Sequence, residues 1–343
     1  MSFSVLGQVF GIAGKKIYYW YRNVLSNFTD ALVQQALHHH DMIDRDLIDR
    51  ITRCPKKVYV PIFCLENWGM NMAVDDKNIS GEVYTIVTNR DTGKIALMIM
   101  TCKVRLITQV LQNVPVKIRM AVKTITKDLA DNYDWLARST LMNATRIADK
   151  FHVIVLGMEA LQAVRIRYRQ EILTEERKRT LEAKKEGIPR KNLPPGRKFE
   201  NGDTKKELLA RSRYLLFQFE SEWTDSQIER GRILFREFPE IKQAYDAICH
   251  FRNFYKCKIG NQRRARDSLQ NWYSKMQDIE IGEIQNFVES IRRHEAQILN
   301  YFDEGRTNAF AESINSKIQK FVRSNYGVRD RDFFHFRLLL HFS

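Results

Sequence analysis

Between Met70 and Met100 the apolar and β-branched residues fall in three short runs, MNMAVDD, EVYTIVTN and KIALMIM. The turn signal RDTG separates the second from the third, so the three predict antiparallel strands in a meander. CKVRLITQVLQNV then follows a helical period, which Pro115 ends. VKTITKD predicts a fourth strand, NYDWLARSTLMN a second helix and TRIAD a short fifth strand. The class is α/β.

Three antiparallel strands, helix, strand, helix, strand is the order of the ribonuclease H-like fold, a mixed sheet flanked by helices. Beyond His152 the strand signals largely vanish. Residues 153–186 give a long helical pattern whose polar positions are very basic, from RIRYRQ to EERKRTLEAKKEG. IPRKNLPPGRKFENGD, residues 188–203, breaks it with three prolines and two glycines and reads as a mobile basic loop. Helical texture resumes from Thr204 to about Phe302, with Tyr214, Phe217, Phe219, Trp223, Phe251, Phe254, Tyr255 and Trp272 read mostly as core. The expected organisation is a helical N-terminal segment (1–66), a first part of the core (67–160), a basic α-helical insertion (161–300) and C-terminal helices that complete the core (301–343).

TNAFAESINSKIQKFVRSNYG, Thr307 to Gly327, carries one acid among amides and bases. At about 100° per residue, Asn315, Ser316, Gln319 and Arg323 fall within about 60° of Glu312. Ile314, Ile318, Phe321 and Val322 gather on the other side. Glu312 therefore leads the polar face of an amphipathic helix.

The chain has 343 residues and 44% hydrophobic content, enough for a sizeable globular core. A formal charge of +15 favours a polyanionic partner, nucleic acid before an anionic membrane surface. Cys54, Cys64, Cys102, Cys249 and Cys257 form no CxxC pair and read as the reduced thiols of a cytoplasmic protein. The run His38-His39-His40 lacks a second ligand group nearby and reads as a solvated stretch. No segment has the length and apolarity of a membrane span or the form of a signal peptide. At the N-terminus FSVLGQVFGIAGKKIYYWYRN predicts two short helices around GIAG. Gly7, Gly11 and Ile17 have helix-turn-helix spacing, which would put Lys15, Lys16 and Arg22 on the recognition helix; a plain helical hairpin reads equally well. Tyr18, Tyr19 and Trp20 are expected to pack.

Asp75 is expected at the end of the first strand and Asp128 at the end of the fourth, on neighbouring central strands. A helix bearing Glu312 could pack beside them. Three converging carboxylates need cations between them, and hard oxygen ligands suit two Mg²⁺ or Mn²⁺ ions that act on a phosphodiester.

These residues carry a resemblance. The chain resembles a DDE transposase of bacterial insertion sequences, of the ISL-three-type group, and is similar to a subfamily found in Bacteroidetes. The likeness runs from about Lys15 to the C-terminus through VDDKNISGEVYTIVTN, ITKDLA, ADKFHV, LLARSRYLLF and TNAFAESINSKIQKF…YGVRD. It implies that Asp75, Asp128 and Glu312 are the catalytic, metal-holding triad and that a helical insertion precedes the Glu helix. The family commonly has Glu after the first catalytic Asp, where this chain has Asp76; alternation along MAVDD favours Asp75 as the ligand. Before Asp128 the family usually has an apolar residue; Lys127 stands here and is expected on the exposed side of its strand. Asp149-x-x-His152 matches a signature of several DDE groups, either steadying the site or forming a structural Asp–His pair at a helix start. Asn308 and Asn315 flank Glu312 as auxiliaries. Lys184, Lys185, Arg190, Lys191, Arg197, Lys198, Lys317, Lys320 and Arg323 join the N-terminal cations as candidate phosphate contacts.

The expected function is metal-dependent cleavage of double-stranded DNA at insertion-sequence ends, followed by strand transfer of the 3′-OH into target DNA. The alternatives are a nuclease on the same fold without strand transfer, and an inactive transposase-derived DNA-binding protein. Relatives in the wider group begin with a zinc-binding module and a helix-turn-helix; this chain shows no zinc module and at most the short hairpin at 3–23, so a separately encoded N-terminal DNA-binding protein is a candidate partner for end recognition. A homodimer on DNA is expected by analogy.

Overall fold

The structure, a computed structural model, describes residues 3–28, 62–79, 81–189, 192, 196–257, 261–303, 309–324 and 331–342. His38, His39, His40, Cys54, Arg190, Lys191 and Asn308 lie outside the described residues, as do the side chains of Glu312 and Asn315. The chain forms two compact units, one of residues 1–147 and 307–343, the other of residues 148–306.

The first unit is built on a six-stranded mixed sheet with strand order β1-β4-β3-β2-β5-β6, formed by β1 (Ile62–Phe63), β2 (Asn71–Ile79), β3 (Glu82–Asn89), β4 (Ile95–Ile99), β5 (Thr124–Lys127) and β6 (Thr145–Ala148). β2, β3 and β4 are the expected antiparallel meander, and β5 runs parallel to β2. The two-residue β1, which has no sequence signal of its own, adds an edge against β4. Helix α3 (Val104–Gln112) ends before Pro115, which starts the unforeseen α4 (Val116–Ala121). A proline suits that position because its missing N–H has no partner in the first turn. Helix α5 (Asp131–Thr140) joins β5 to β6.

One apolar cluster joins Met72, Val74, Ile86 and Leu97 of the sheet to Ile107 and Leu111 of α3 and to Tyr133 and Leu136 of α5. Helices α13 (Ala309–Ser324) and α14 (Arg331–Phe342) close the same cluster with Ile318, Phe321, Phe334, Leu338 and Phe342. The helical period read around Glu312 holds where side chains are described. Ile318 and Phe321 are buried, and Ser316, Lys317, Gln319, Lys320 and Arg323 are exposed.

At the N-terminus α1 (Phe3–Phe10) and α2 (Gly14–Trp20) form a tight hairpin. A Cβ on Gly7 would come within 2.5 Å of the Ile12 carbonyl oxygen, and Gly11 turns the chain at φ +63°. Tyr18 packs edge-on to Phe333 of α14, with ring centroids 5.7 Å apart. Tyr19 and Trp20 do not pack as expected: they are 61% and 40% exposed, because the helix turns only its Tyr18 side toward Phe333.

The second unit is helical. Its long helix α6 (Lys150–Lys185) is followed by α7 (Lys205–Arg211), α8 (Asp225–Glu237), α9 (Pro239–Phe254), α10 (Gln262–Met276), α11 (Gly282–Arg293) and α12 (Glu295–Leu299). Gly157 lets α6 meet α11 closely: a Cβ there would lie 3.0 Å from the Phe287 ring. Residues 196–204 form a turn, not the mobile loop expected. Lys198 bridges Thr204, Gly202 takes φ +79° and the Asp203 carboxylate is fully buried. Arg211 and Arg230 hold that carboxylate, supplying the two charge partners that a buried acid requires.

Candidate active site

The ladder between β2 and β5 pairs Asn71 with Thr124, Met72 with Ile125 and Ala73 with Thr126. Thr124 and Asn71, 53 positions apart, also share a side-chain hydrogen bond of 2.9 Å. Asp75 and Asp128 each lie two residues beyond the last of these pairs. The charges of both Asp75 and Asp128 reach the Asp76 carboxylate.

Asp75 is not at the end of its strand, as expected, but in the middle of it. β2 continues to Ile79 in a hairpin with β3, where Asp75 faces Ile86 and Ile79 faces Glu82. What ends near Asp75 is the parallel neighbour. Beyond Ala73 the strand keeps only one hydrogen-bonded neighbour, and there its residues become polar.

Asp75 and Asp76 take opposite faces, and their partners separate them. The Asp76 carboxylate accepts from the Thr85 hydroxyl at 2.6 Å and from the Tyr133 hydroxyl of α5. Burial lifts this carboxyl above its ordinary range, the two hydroxyls pull it down, and the charges of Asp75 and Asp128 push it up again. Tyr133 is itself raised, by burial and by its bond to Asp76. On the other face Asp75 Oδ1 accepts from the Asp76 N–H at 2.8 Å, and Oδ2 pairs with Lys77 Nζ at 2.9 Å. Asp128 Oδ1 accepts from the Leu129 N–H at 2.5 Å.

Lys127 is fully buried, contrary to the exposed position expected. Its ammonium lies 3.5 Å from Asp134 Oδ1 and donates to the Asp128 carbonyl at 3.2 Å. Burial lowers its pKa, and Asp134 opposes that. Asp134 also pairs with Arg138 at 2.7 Å and Arg146 at 2.9 Å. A partner seven positions along, on the next helix, is what makes the burial tolerable. On the face of Asp128, Arg90 Nη1 donates to Thr126 Oγ1 at 2.8 Å. Thr85, Tyr133, Asp134, Arg146 and Arg90 had no signal in the sequence, since each acts through a neighbour brought up by the fold.

Among the described residues no three His, Cys, Asp or Glu side chains converge as a metal site. The pair Asp75 and Asp128 nevertheless fits a hard divalent cation in donor chemistry. Both are oxygen donors, both charges are felt at Asp76, and Asp75 already takes a cation in the Lys77 ammonium.

Asp149 caps helix α6, accepting the Phe151 N–H at 2.9 Å, and its other oxygen lies 3.4 Å from His152 Nδ1. Lys15, Lys16, Lys184, Lys185, Arg197 and Lys198 are exposed. Arg22 is engaged within the protein, donating to Asn23 at 2.7 Å with its guanidinium 4.8 Å from the Phe28 ring. No described helix is long and apolar enough to cross a membrane.

Two curated relatives are 27% identical over 208 residues, 60% of this chain. Both are described as the transposase for insertion sequence element IS1557, from Mycobacterium tuberculosis strains CDC 1551 / Oshkosh and ATCC 25618 / H37Rv. The chain spans 45% of the length of these relatives. A family model described as transposase, of the DDE type and the ISL3 group, matches residues 72–338, from the strand that carries Asp75 through the last helix. The chain belongs to this transposase family.

Proposed function

We propose that the chain cuts DNA at the ends of an insertion sequence and joins the resulting 3′-OH to target DNA, with Asp75, Asp128 and Glu312 as its metal-holding acids. The observation that carries this reading is the parallel pairing of β2 with β5 from Asn71–Thr124 to Ala73–Thr126, with Asp75 and Asp128 each two residues beyond the last pair and both charges felt at Asp76. The sheet order, with the meander at one side of β2 and the parallel β5 at the other, supports a ribonuclease H-like core. The 148–306 unit, lying between two parts of the first along the chain, supports the reading of a helical insertion.

When bound, Mg²⁺ or Mn²⁺ would polarise the phosphodiester and favour ionisation of the attacking oxygen. The chain supplies the rest. Asp75 and Asp128 would hold the ions from one face of the sheet, and the polar face of the helix beginning at Ala309 would bring Glu312. Tyr133 and Thr85 keep Asp76 on the opposite face, so Asp75 is the carboxylate presented. Lys127 fixes the carbonyl of Asp128 and, through Asp134, the start of the following helix. The exposed cations would hold phosphates. We further propose that two copies act together on paired ends and that a separate protein helps to recognise them.

Full-length chain incubated with the element's flanking DNA and Mg²⁺ tests the proposal. Strand-transfer products joined through the 3′-OH are expected. Hydrolysed ends with no joined product would point to a nuclease on the same fold. Binding without any cleavage would point to an inactive DNA-binding protein.

A further inference from the structure

The fold sorts the aromatic residues of the 148–306 unit. Phe251, Phe254, Tyr255 and Trp272 are buried, whereas Tyr214 is 71% and Phe217 37% exposed. Both belong to the short 3-10 turn at Leu215–Phe217, Tyr214 as its N-cap. Side chains three apart eclipse one another in that geometry, so the two rings share one side of the turn. Leu215 and Leu216 anchor the turn in the core, and the Tyr214 ring stays largely outside it.

Cations stand beside these rings. The Arg213 guanidinium lies 5.5 Å from the Tyr214 ring. Arg252, from the last turn of α9, donates to the Phe217 carbonyl at 3.1 Å and stacks 3.9 Å from the Phe219 ring. Lys256 approaches the same ring at 4.9 Å. The acids that follow are turned to other partners: Glu220 faces Lys242 at 4.0 Å, and Glu222 accepts the Phe219 N–H.

We propose that this corner is a stacking platform for unpaired DNA bases, with Arg213, Arg252 and Lys256 meeting the adjoining phosphates. Every base has a π-face, but a duplex hides it, so exposed rings interleaved with cations suit a single strand or an opened end. Phosphates of a duplex would need only the cations. An acidic protein surface would meet the cations and leave the rings unused. The choice of DNA rests on the cleavage reading, but none of these residues is assigned there to cutting.

The test uses the full-length protein without divalent cation. It is titrated with a labelled oligothymidine of about 20 nucleotides and with a duplex of the same length, at one ionic strength. Tyr214→Ala and Phe217→Ala should each weaken single-strand binding about tenfold, Tyr214→Trp should restore it, and duplex affinity should stay within about twofold. Tyr214 is exposed, so its replacement leaves the core intact. Unchanged single-strand binding, an equal loss on duplex, or displacement by inorganic polyphosphate as effective as that by oligothymidine would each overturn the platform. Asp75→Ala should bind the single strand like wild type. Loss of cutting in that variant beside normal binding by Tyr214→Ala would sink the platform alone, and the converse would sink the cleavage reading alone.

Discussion

Asp75 and Asp128 each follow by two residues the Ala73–Thr126 pair that ends the β2–β5 ladder, although two helices and two strands separate them along the chain. If the two hold a divalent cation as proposed, each is needed for cutting. Asp75→Ala, Asp128→Ala and Glu312→Ala should each lower the cleavage rate by roughly 10³-fold or more, since a missing ligand removes several kcal/mol of transition-state stabilisation. DNA affinity, measured by anisotropy, should hold. Near-normal cutting by Asp75→Ala beside a dead Asp76→Ala would reverse the assignment of faces.

The Lys127–Asp134 pair gives a stability prediction. Removing Asp134 leaves a fully buried ammonium uncompensated, so Asp134→Ala should destabilise the first unit by about 3–5 kcal/mol. Lys127→Met, combined with it, should recover much of that loss in urea unfolding. Equal destabilisation with and without Lys127→Met would show that the charge pair is not responsible.

The same pair predicts a pH window. Burial alone would raise Asp134, yet Lys127, Arg146 and Arg138 hold its carboxyl below the usual range. A carboxyl held low in the fold contributes stability that is complete above its unfolded value of about 3.9 and fades as the pH falls through the folded one. The gap between wild type and Asp134→Asn should therefore narrow below about pH 4. A gap that stays constant across that range would rule out ionisation of Asp134 as its source.

Non-specific DNA grip should depend on the segment after α6. Neutralising Lys184, Lys185, Arg190, Lys191, Arg197 and Lys198 together should flatten the salt dependence of binding, by about 0.9 in log–log slope for each DNA phosphate that is no longer neutralised. An unchanged slope would mean that these charges only face solvent.

Selective recognition of element ends should be weak in the isolated chain. Arg22 and Asn23, the candidate base readers just beyond the short second helix, already bond to each other, and Arg22 lies against Phe28. Good base contacts give about 1–3 kcal/mol each, below the roughly 4–10 kcal/mol of dedicated readers. Competition of end DNA against scrambled DNA should show less than about 1,000-fold preference. A larger one would remove the need for a partner.

The meander, the parallel strand and helices α3 and α5 were legible because their apolar runs have lengths and periods peculiar to each element, whereas α4 was not foreseen. The helix of Glu312 was legible for the same reason, down to the burial of Ile318 and Phe321. Lys127 was not, because a buried charge is readable only with its partner, and Asp134 enters through the turn of a helix. The mid-strand position of Asp75 was hidden by its own polarity: DDKN looks like a strand end until the unequal lengths of the two neighbouring ladders are seen. Prolines around residues 189–195 suggested a loop, but the Asp203 pairs with Arg211 and Arg230 that order its later part come from two helices further on.

The first unit is assembled from two stretches of the chain, residues 1–147 and 307–343. A ribosome therefore releases the whole helical unit before the sheet can be covered. Until the later stretch emerges, the sheet lacks Ile318, Phe321, Phe334 and Leu338, and with them the helix of Glu312. A message cut just before Thr307 would yield the helical unit and a sheet with its apolar face uncovered, a product for proteases. On the proposed reading, synthesis through that last stretch is thus a built-in licence, since a chain halted before it lacks the helix of Glu312.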